Sequence, residues 1–184
     1  MSEAVKDRKF VVLFDWFDQN QDDYLTHEDF LQMADLFAAV AQEEDQVNAT
    51  AMRDAIKSWW ELLLASGDTD TDTRLTRPEF VEVMKSSVTS PGNFERAVLA
   101  IADALMSALD TNKDGLVDSQ EYARMYSTLG IPLEYASDAF RRLDRDSDGA
   151  ISHEEFRTAI CEFYLSDDEN APGNWLIGPF GQPA

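Results

Sequence analysis

The sequence predicts an all-α fold of about eight helices, arranged as four helix–loop–helix units in two pairs. Four short acidic segments are distributed along the 184 residues. Apolar residues with helical spacing flank each of them, and glycine or proline falls between the units. The segments are 18–29, 68–79, 110–121 and 144–155.

The last two segments share one pattern of oxygen-bearing side chains. Asp or Asn occupies positions 1, 3 and 5, Gly position 6, Val or Ile position 8, and Glu position 12. A hard cation that takes about six to eight oxygen ligands explains each choice, with the peptide carbonyl of position 7 as a further ligand. The pattern is that of the EF-hand loop, and it predicts two calcium sites. Their ligands are Asp110, Asn112, Asp114, Leu116 and Glu121, and Asp144, Asp146, Asp148, Ala150 and Glu155.

Residues 18–29 form a weaker copy with two departures. Asp23 replaces the glycine of position 6, although Asp tolerates the left-handed backbone region better than most residues. Asp29 closes the loop with a stem one methylene shorter than that of Glu, which favours fewer ligands and tolerance of Mg²⁺. The expected ligands are Asp18, Asn20, Asp22, Tyr24 and Asp29.

Residues 68–79 keep every carboxylate but place Thr73 at position 6. A β-branched residue there costs about 1–2 kcal/mol if the backbone is left-handed. The loop is therefore either a strained fourth site or an empty one, so that three to four calcium ions are expected in all. Its ligands would be Asp68, Asp70, Asp72, Arg74 and Glu79.

Helical periodicity surrounds every loop. Phe10, Leu13, Phe14 and Phe17 precede the first loop at i, i+3, i+4, i+7 spacing, and comparable stripes enter or leave the other three. We expect these aromatic stripes to form core. The predicted units are an N-terminal pair over residues 1–90, a C-terminal pair over 93–165, and a tail over 166–184 that docks on the body.

Composition excludes several classes of function. The net charge of −21 argues against nucleic acid or an anionic membrane as a partner. One cysteine, Cys161, allows no intramolecular disulfide, and no apolar stretch is long enough to span a membrane. No nucleophile–base pair, phosphate loop or zinc spacing supports an enzyme. We expect a monomeric, cytoplasmic protein.

The whole chain resembles the sarcoplasmic calcium-binding proteins, calerythrin and calexcitin. The resemblance depends on the first loop closed by aspartate, the helical stretch 42–66 before an irregular second loop, the linker 129–132, and the tail 163–180. It implies two facing pairs with the tail between them. It also implies that the second loop can be empty. Trp175, Leu176, Ile177 and Phe180 would then form an apolar plug.

Three functions remain after these observations. The first is a calcium buffer, because a plugged groove does not readily accept a target helix. The second is a calexcitin-like sensor that changes conformation and engages a protein partner. The third is a small-molecule carrier or photoprotein, since luciferin-binding proteins share this architecture. Such a carrier needs polar groups, usually including histidine, in an apolar cavity. The two histidines, His27 and His153, both fall at loop position 10, where we expect their side chains to point to solvent.

Overall fold

The first two acidic segments each lie between two helices. The computed structural model describes residues 4–179, so the expected anchor Phe180 lies outside the described residues. The N-terminal half contains α1 (Val5–Phe17), β1 (Tyr24–Leu25), α2 (His27–Ala38), α3 (Gln46–Gly67), β2 (Leu75–Thr76) and α4 (Arg77–Val83), which continues as a π-helical turn over Met84–Val88. β1 and β2 pair antiparallel, with Leu25 opposite Leu75.

The C-terminal half repeats this arrangement. It contains α5 (Pro91–Phe94), a π-helical turn over Glu95–Leu99, α6 (Ala100–Leu109), β3 (Leu116–Asp118), α7 (Ser119–Thr128), a 3₁₀ turn over Leu133–Tyr135, α8 (Ala136–Leu143), β4 (Ala150–Ser152), α9 (His153–Leu165) and a 3₁₀ turn over Pro172–Trp175. β3 and β4 pair antiparallel, with Val117 opposite Ile151. The predicted all-α fold, with two helices around each loop, is confirmed.

The helix that enters the third loop begins earlier than its apolar stripe suggests. Pro91 opens α5 at its first turn, where proline's fixed φ and missing N–H are tolerated. The chain then runs through a π-helical turn into α6 without leaving helical conformation. The break between the halves is therefore confined to Thr89 and Ser90.

One hydrophobic core extends through both halves. α3 packs against α6, and α1 packs against α9. Within the N-terminal half the ring of Phe17 lies 5.1 Å from that of Phe30 and 5.3 Å from that of Trp59, measured between centroids. All three side chains are buried. The predicted aromatic stripes are therefore core, at roughly 1.5–3 kcal/mol of burial free energy each.

The tail lies against α8 and α9. Ala171, Gly173 and Leu176 are buried, and the hydroxyl of Tyr126 donates to the carbonyl oxygen of Trp175 at 2.9 Å. Leu176 and Ile177 also line a cavity of about 60 Å³ that the two halves share. The tail thus packs on the C-terminal half and forms part of the wall of the cavity between the halves. Among the helices of residues 4–179, none combines the length and apolar character needed to span a bilayer.

Candidate metal centres

Each loop ends in a capping box that fixes its closing carboxylate. The residue at position 9 is the N-cap of the helix that follows, and the residue at position 12 stands at N3. The side chain of each member accepts from the backbone N–H of the other, which satisfies two helix-terminal donors. The pairs are Thr26 with Asp29, Thr76 with Glu79, Asp118 with Glu121, and Ser152 with Glu155.

The first carboxylate of every loop is held by two backbone amides. In the third loop Asp110 accepts from the N–H of Asp114 at 3.1 Å and from that of Gly115 at 2.9 Å. The same bonds form at Asp18, Asp68 and Asp144, at 3.0–3.2 Å. In each loop, these local hydrogen bonds therefore hold the backbone of positions 5 and 6 close to the carboxylate of position 1.

The closing glutamates reach across their loops, whereas Asp29 does not. One oxygen of Glu121 accepts from the N–H of Thr111 at position 2, at 2.8 Å, and the other from Asp118 N–H at 3.0 Å. Glu155 and Glu79 bridge in the same way. Within residues 4–179 the carboxylate of Asp29 bonds only to the N–H and hydroxyl of Thr26. The shorter stem leaves the first loop with a less complete closure.

Two positions of each loop are left-handed. At position 6, Asp23 has φ 65° and Thr73 has φ 66°, where the last two loops have Gly115 and Gly149. The left-handed conformation assumed for Thr73 is therefore present. Position 4 is also left-handed in all four loops, and in the second loop it is the β-branched Thr71, at φ 60°. This second strained threonine could not be predicted from the sequence, because position 4 has no characteristic residue type: the other loops have Gln21, Lys113 and Ser147 there.

The second loop contains an internal cation. The guanidinium of Arg74 bonds Asp72 through Nη2 at 2.8 Å and Nε at 3.1 Å, and it lies 4.3 Å from the ring centre of Tyr24. The Arg74 hydrogen bonds lower the pKa of the Asp72 carboxyl. Hydrogen bonds from Thr69 and Thr76 lower the pKa of Glu79 to about 2. One proposed ligand of this loop, Asp72, is thus shared with Arg74.

The donor set fits a hard divalent cation. The ligand oxygens of Asp68, Asp70 and Asp72 lie within 4.8 Å of one another, and so do those of Asp144, Asp146 and Glu155. In the first and third loops Asn20 and Asn112 replace one carboxylate, and each amide oxygen points at the position 5 N–H, at 3.0 and 2.9 Å. Every predicted side-chain donor is oxygen, which calcium and magnesium prefer to nitrogen or sulfur.

Comparison with known proteins agrees with this geometry. Residues 2–93 match the family described as the follistatin-related protein 1 EF-hand domain pair, and residues 101–126 and 137–160 match the EF hand family. The chain therefore belongs to the EF-hand family, and it is similar to calcium-binding proteins of the sarcoplasmic and calerythrin type.

Three relatives illustrate that placement. The chain is 29% identical to the sarcoplasmic calcium-binding protein of Perinereis vancaurica tetradentata over 94% of its length and 96% of the relative's. It is 23% identical to calerythrin of Saccharopolyspora erythraea, over 90% and 95% of the two chains. A Streptomyces coelicolor calcium-binding protein, whose description names prokaryotic calcium-mediated regulation, superposes with TM-score 0.70 at 27% identity. That superposition covers 89% of this chain and 99% of the other.

Proposed function

We propose that the chain is a calcium buffer that binds three to four Ca²⁺ and does not expose a target-binding groove when it does so. The observation that carries this is the tail, since Leu176 is buried and Trp175 and Ile177 pack against the core. A groove already filled by the chain's own apolar residues offers little surface to a partner helix. The net charge of −21 further favours a monomer.

The proposed ligands are those expected from the sequence. The side chains of positions 1, 3, 5 and 12 and the carbonyl of position 7 would bind the ion in each loop. They are Asp18, Asn20, Asp22, Tyr24 and Asp29; Asp68, Asp70, Asp72, Arg74 and Glu79; Asp110, Asn112, Asp114, Leu116 and Glu121; and Asp144, Asp146, Asp148, Ala150 and Glu155. The first loop is the one we assign to Mg²⁺ as well, because of its short closure.

Calorimetric titration with Ca²⁺, with and without Mg²⁺, tests the stoichiometry. Glu121→Gln and Glu155→Gln should each remove one site, because the closing glutamate supplies two oxygens and a full charge. Glu134→Gln, outside the loops, is the matched control. An unchanged stoichiometry in either loop variant contradicts the ligand assignment.

A sensor is the second candidate. It is favoured by the likeness to the Streptomyces coelicolor protein, whose description names calcium-mediated regulation. The two functions differ in the surface they expose. A buffer should bind no more of a hydrophobic dye when calcium is added, whereas a sensor that opens for a protein partner should bind more.

A further inference from the structure

Two arginines on either side of Asp144 connect the fourth loop to the tail, Arg142 directly and Arg145 through Glu162. Arg142 places its guanidinium 4.2 Å from the centre of the Trp175 ring. Arg145 bonds the carboxylate of Glu162, on α9, at 2.7 Å. Because Asp144 is the first residue of the fourth loop, the segment that would bind the ion is the same segment that contacts the tail.

Glu162 extends this connection into the tail itself. The oxygen that bonds Arg145 also accepts from the N–H of Gly173 at 2.8 Å. A Cβ atom at Gly173 would lie 2.2 Å from the carbonyl oxygen of Ala159, so only glycine lets the tail approach α9 this closely. The position of the tail backbone therefore determines where the Glu162 carboxylate is held.

Arg145 also contacts the other end of the loop. Its backbone N–H donates to Oε1 of Glu155, the closing residue, at 2.8 Å. The ligand oxygens of Asp144, Asp146 and Glu155 are already within 4.8 Å of one another. The docked tail and the gathered ligands thus occur together in one conformation, with Arg145 in contact with both.

We propose that Arg145 and Glu162 are positioning residues through which the docked tail raises the calcium affinity of the fourth loop. This rests on the proposed calcium binding. The positive charge of calcium in the loop would offset the attraction of the loop carboxylates for the Arg145 guanidinium, and the Arg145–Glu162 pair would strengthen. Since coupling between two equilibria is reciprocal, calcium in the fourth loop also holds the tail on α9. In a sensor that releases its tail, calcium binding would instead weaken the contact between the tail and α9.

Glycine amides report both ends of this connection in one experiment. The protein is full-length and labelled with ¹⁵N-glycine. The Gly149 amide donates to Asp144, so its signal reports calcium binding in the fourth loop. The Gly115 amide donates to Asp110, so its signal reports binding in the third loop. The Gly173 amide follows the tail. A calcium titration should change Gly149 and Gly173 at the same calcium concentration, and hydrogen exchange at Gly173 should slow.

The Arg145 charge is paired with Glu162, which is not a proposed ligand, so its removal does not free a ligand as Arg74→Gln would. Arg145→Gln should therefore weaken calcium binding in the fourth loop, followed at Gly149, roughly fivefold, while binding in the third loop, followed at Gly115, is unchanged. It should also abolish the calcium-dependent protection of Gly173. Glu162→Gln should act in the same direction, and Arg145→Lys, which keeps the charge, should restore part of the effect. Arg141→Gln is the matched control, because Arg141 pairs with Asp138 on the exposed face of α8.

Two results overturn the proposal while calcium binding stands. The first is an unchanged Gly149 midpoint in both Arg145→Gln and Glu162→Gln. The second is faster exchange at Gly173 as Gly149 fills, which means that calcium releases the tail. If neither Gly149 nor Gly115 responds to calcium, the proposed function fails, and this inference fails with it.

Discussion

The ammonium group of Lys9 lies 2.9 Å from the carbonyl oxygen of Ser166 and 3.1 Å from that of Glu162. Lys9 is in α1 and is fully buried, and the two carbonyls belong to the end of α9. Helix C-termini leave carbonyls without intrahelical partners, so a cation from the N-terminal half satisfies the last turn of the C-terminal half. Helix α9 therefore ends at a contact that depends on the other end of the chain.

The buried Lys9 predicts a pH dependence of stability. Burial lowers the pKa of Lys9 from 10.5 to about 8. Between these values the unfolded chain holds the proton and the folded chain does not, so the free energy of unfolding rises with pH. We expect a rise on the order of 1 kcal/mol from pH 8 to pH 9.5 in calcium-free protein, measured by urea unfolding.

Lys9→Met should remove this rise, whereas Lys57→Met, at an exposed position of α3, should keep it. The window must end below pH 10 because burial raises the pKa of Tyr126 to about 12. Above pH 10 the unfolded chain loses the Tyr126 proton while the folded chain keeps it, so the free energy of unfolding falls as pH rises further. A rise of equal size in Lys9→Met would show that another group titrates.

The two strained threonines predict that the second loop can be strengthened. Thr73→Gly should raise its calcium affinity about fivefold to thirtyfold, by removing about 1–2 kcal/mol of left-handed strain. Thr71→Gly should add a similar gain, because Thr71 is left-handed as well. Calorimetry would detect this as a tighter or newly visible site.

Gly115→Ala supplies the reverse test in the third loop, where it should weaken binding by a comparable factor. Gly92→Ala, where a Cβ would meet nothing within 4 Å, is the control. If Thr73→Gly changes neither affinity nor stoichiometry, backbone strain is not what limits the second loop.

The pair between Arg74 and Asp72 predicts a competition within the same loop. Arg74→Gln frees one oxygen of Asp72 and removes a positive charge beside the proposed ion, so calcium affinity should rise by a few-fold. The gain should shrink as salt is increased, since both side chains are exposed to solvent. Arg77→Gln removes an arginine that pairs with Asp15 and Asp23 instead, and the second loop should respond little.

The short closure by Asp29 predicts the ion preference of the first loop. Asp29→Glu should let the carboxylate reach the N–H of Gln19, as Glu121 reaches Thr111. The ratio of calcium to magnesium affinity should then rise roughly tenfold or more, since two carboxylate oxygens suit calcium's larger shell. Glu121→Asp should lower the same ratio in the third loop. Competition titrations that show equal ratios before and after both changes contradict the interpretation.

The loops and their helices could be predicted from the sequence because their causes are local. Ligand spacing, capping residues and the i, i+3, i+4, i+7 stripes all act within a dozen residues, and the structure has a helix on either side of each loop. The reach of a closing residue is also local, which is why the difference between Asp29 and Glu121 is visible in the chain alone. The left-handed position 4 is local too, but no residue type marks it.

The contacts between distant segments depend on the tertiary structure alone. Lys9 meets Ser166 across 157 positions, and Glu162 meets Gly173 only because the tail turns back onto α9. An apolar tail shows that burial is favourable but not which surface receives it, since hydrophobic burial has no direction. The sequence determined which oxygen-bearing side chains each loop carries, whereas tertiary packing determined that Arg145 bonds the Glu162 carboxylate, which also accepts from the tail. These contacts form only when the fourth loop, α9 and Gly173 of the tail lie side by side, and no local sequence pattern encodes that arrangement.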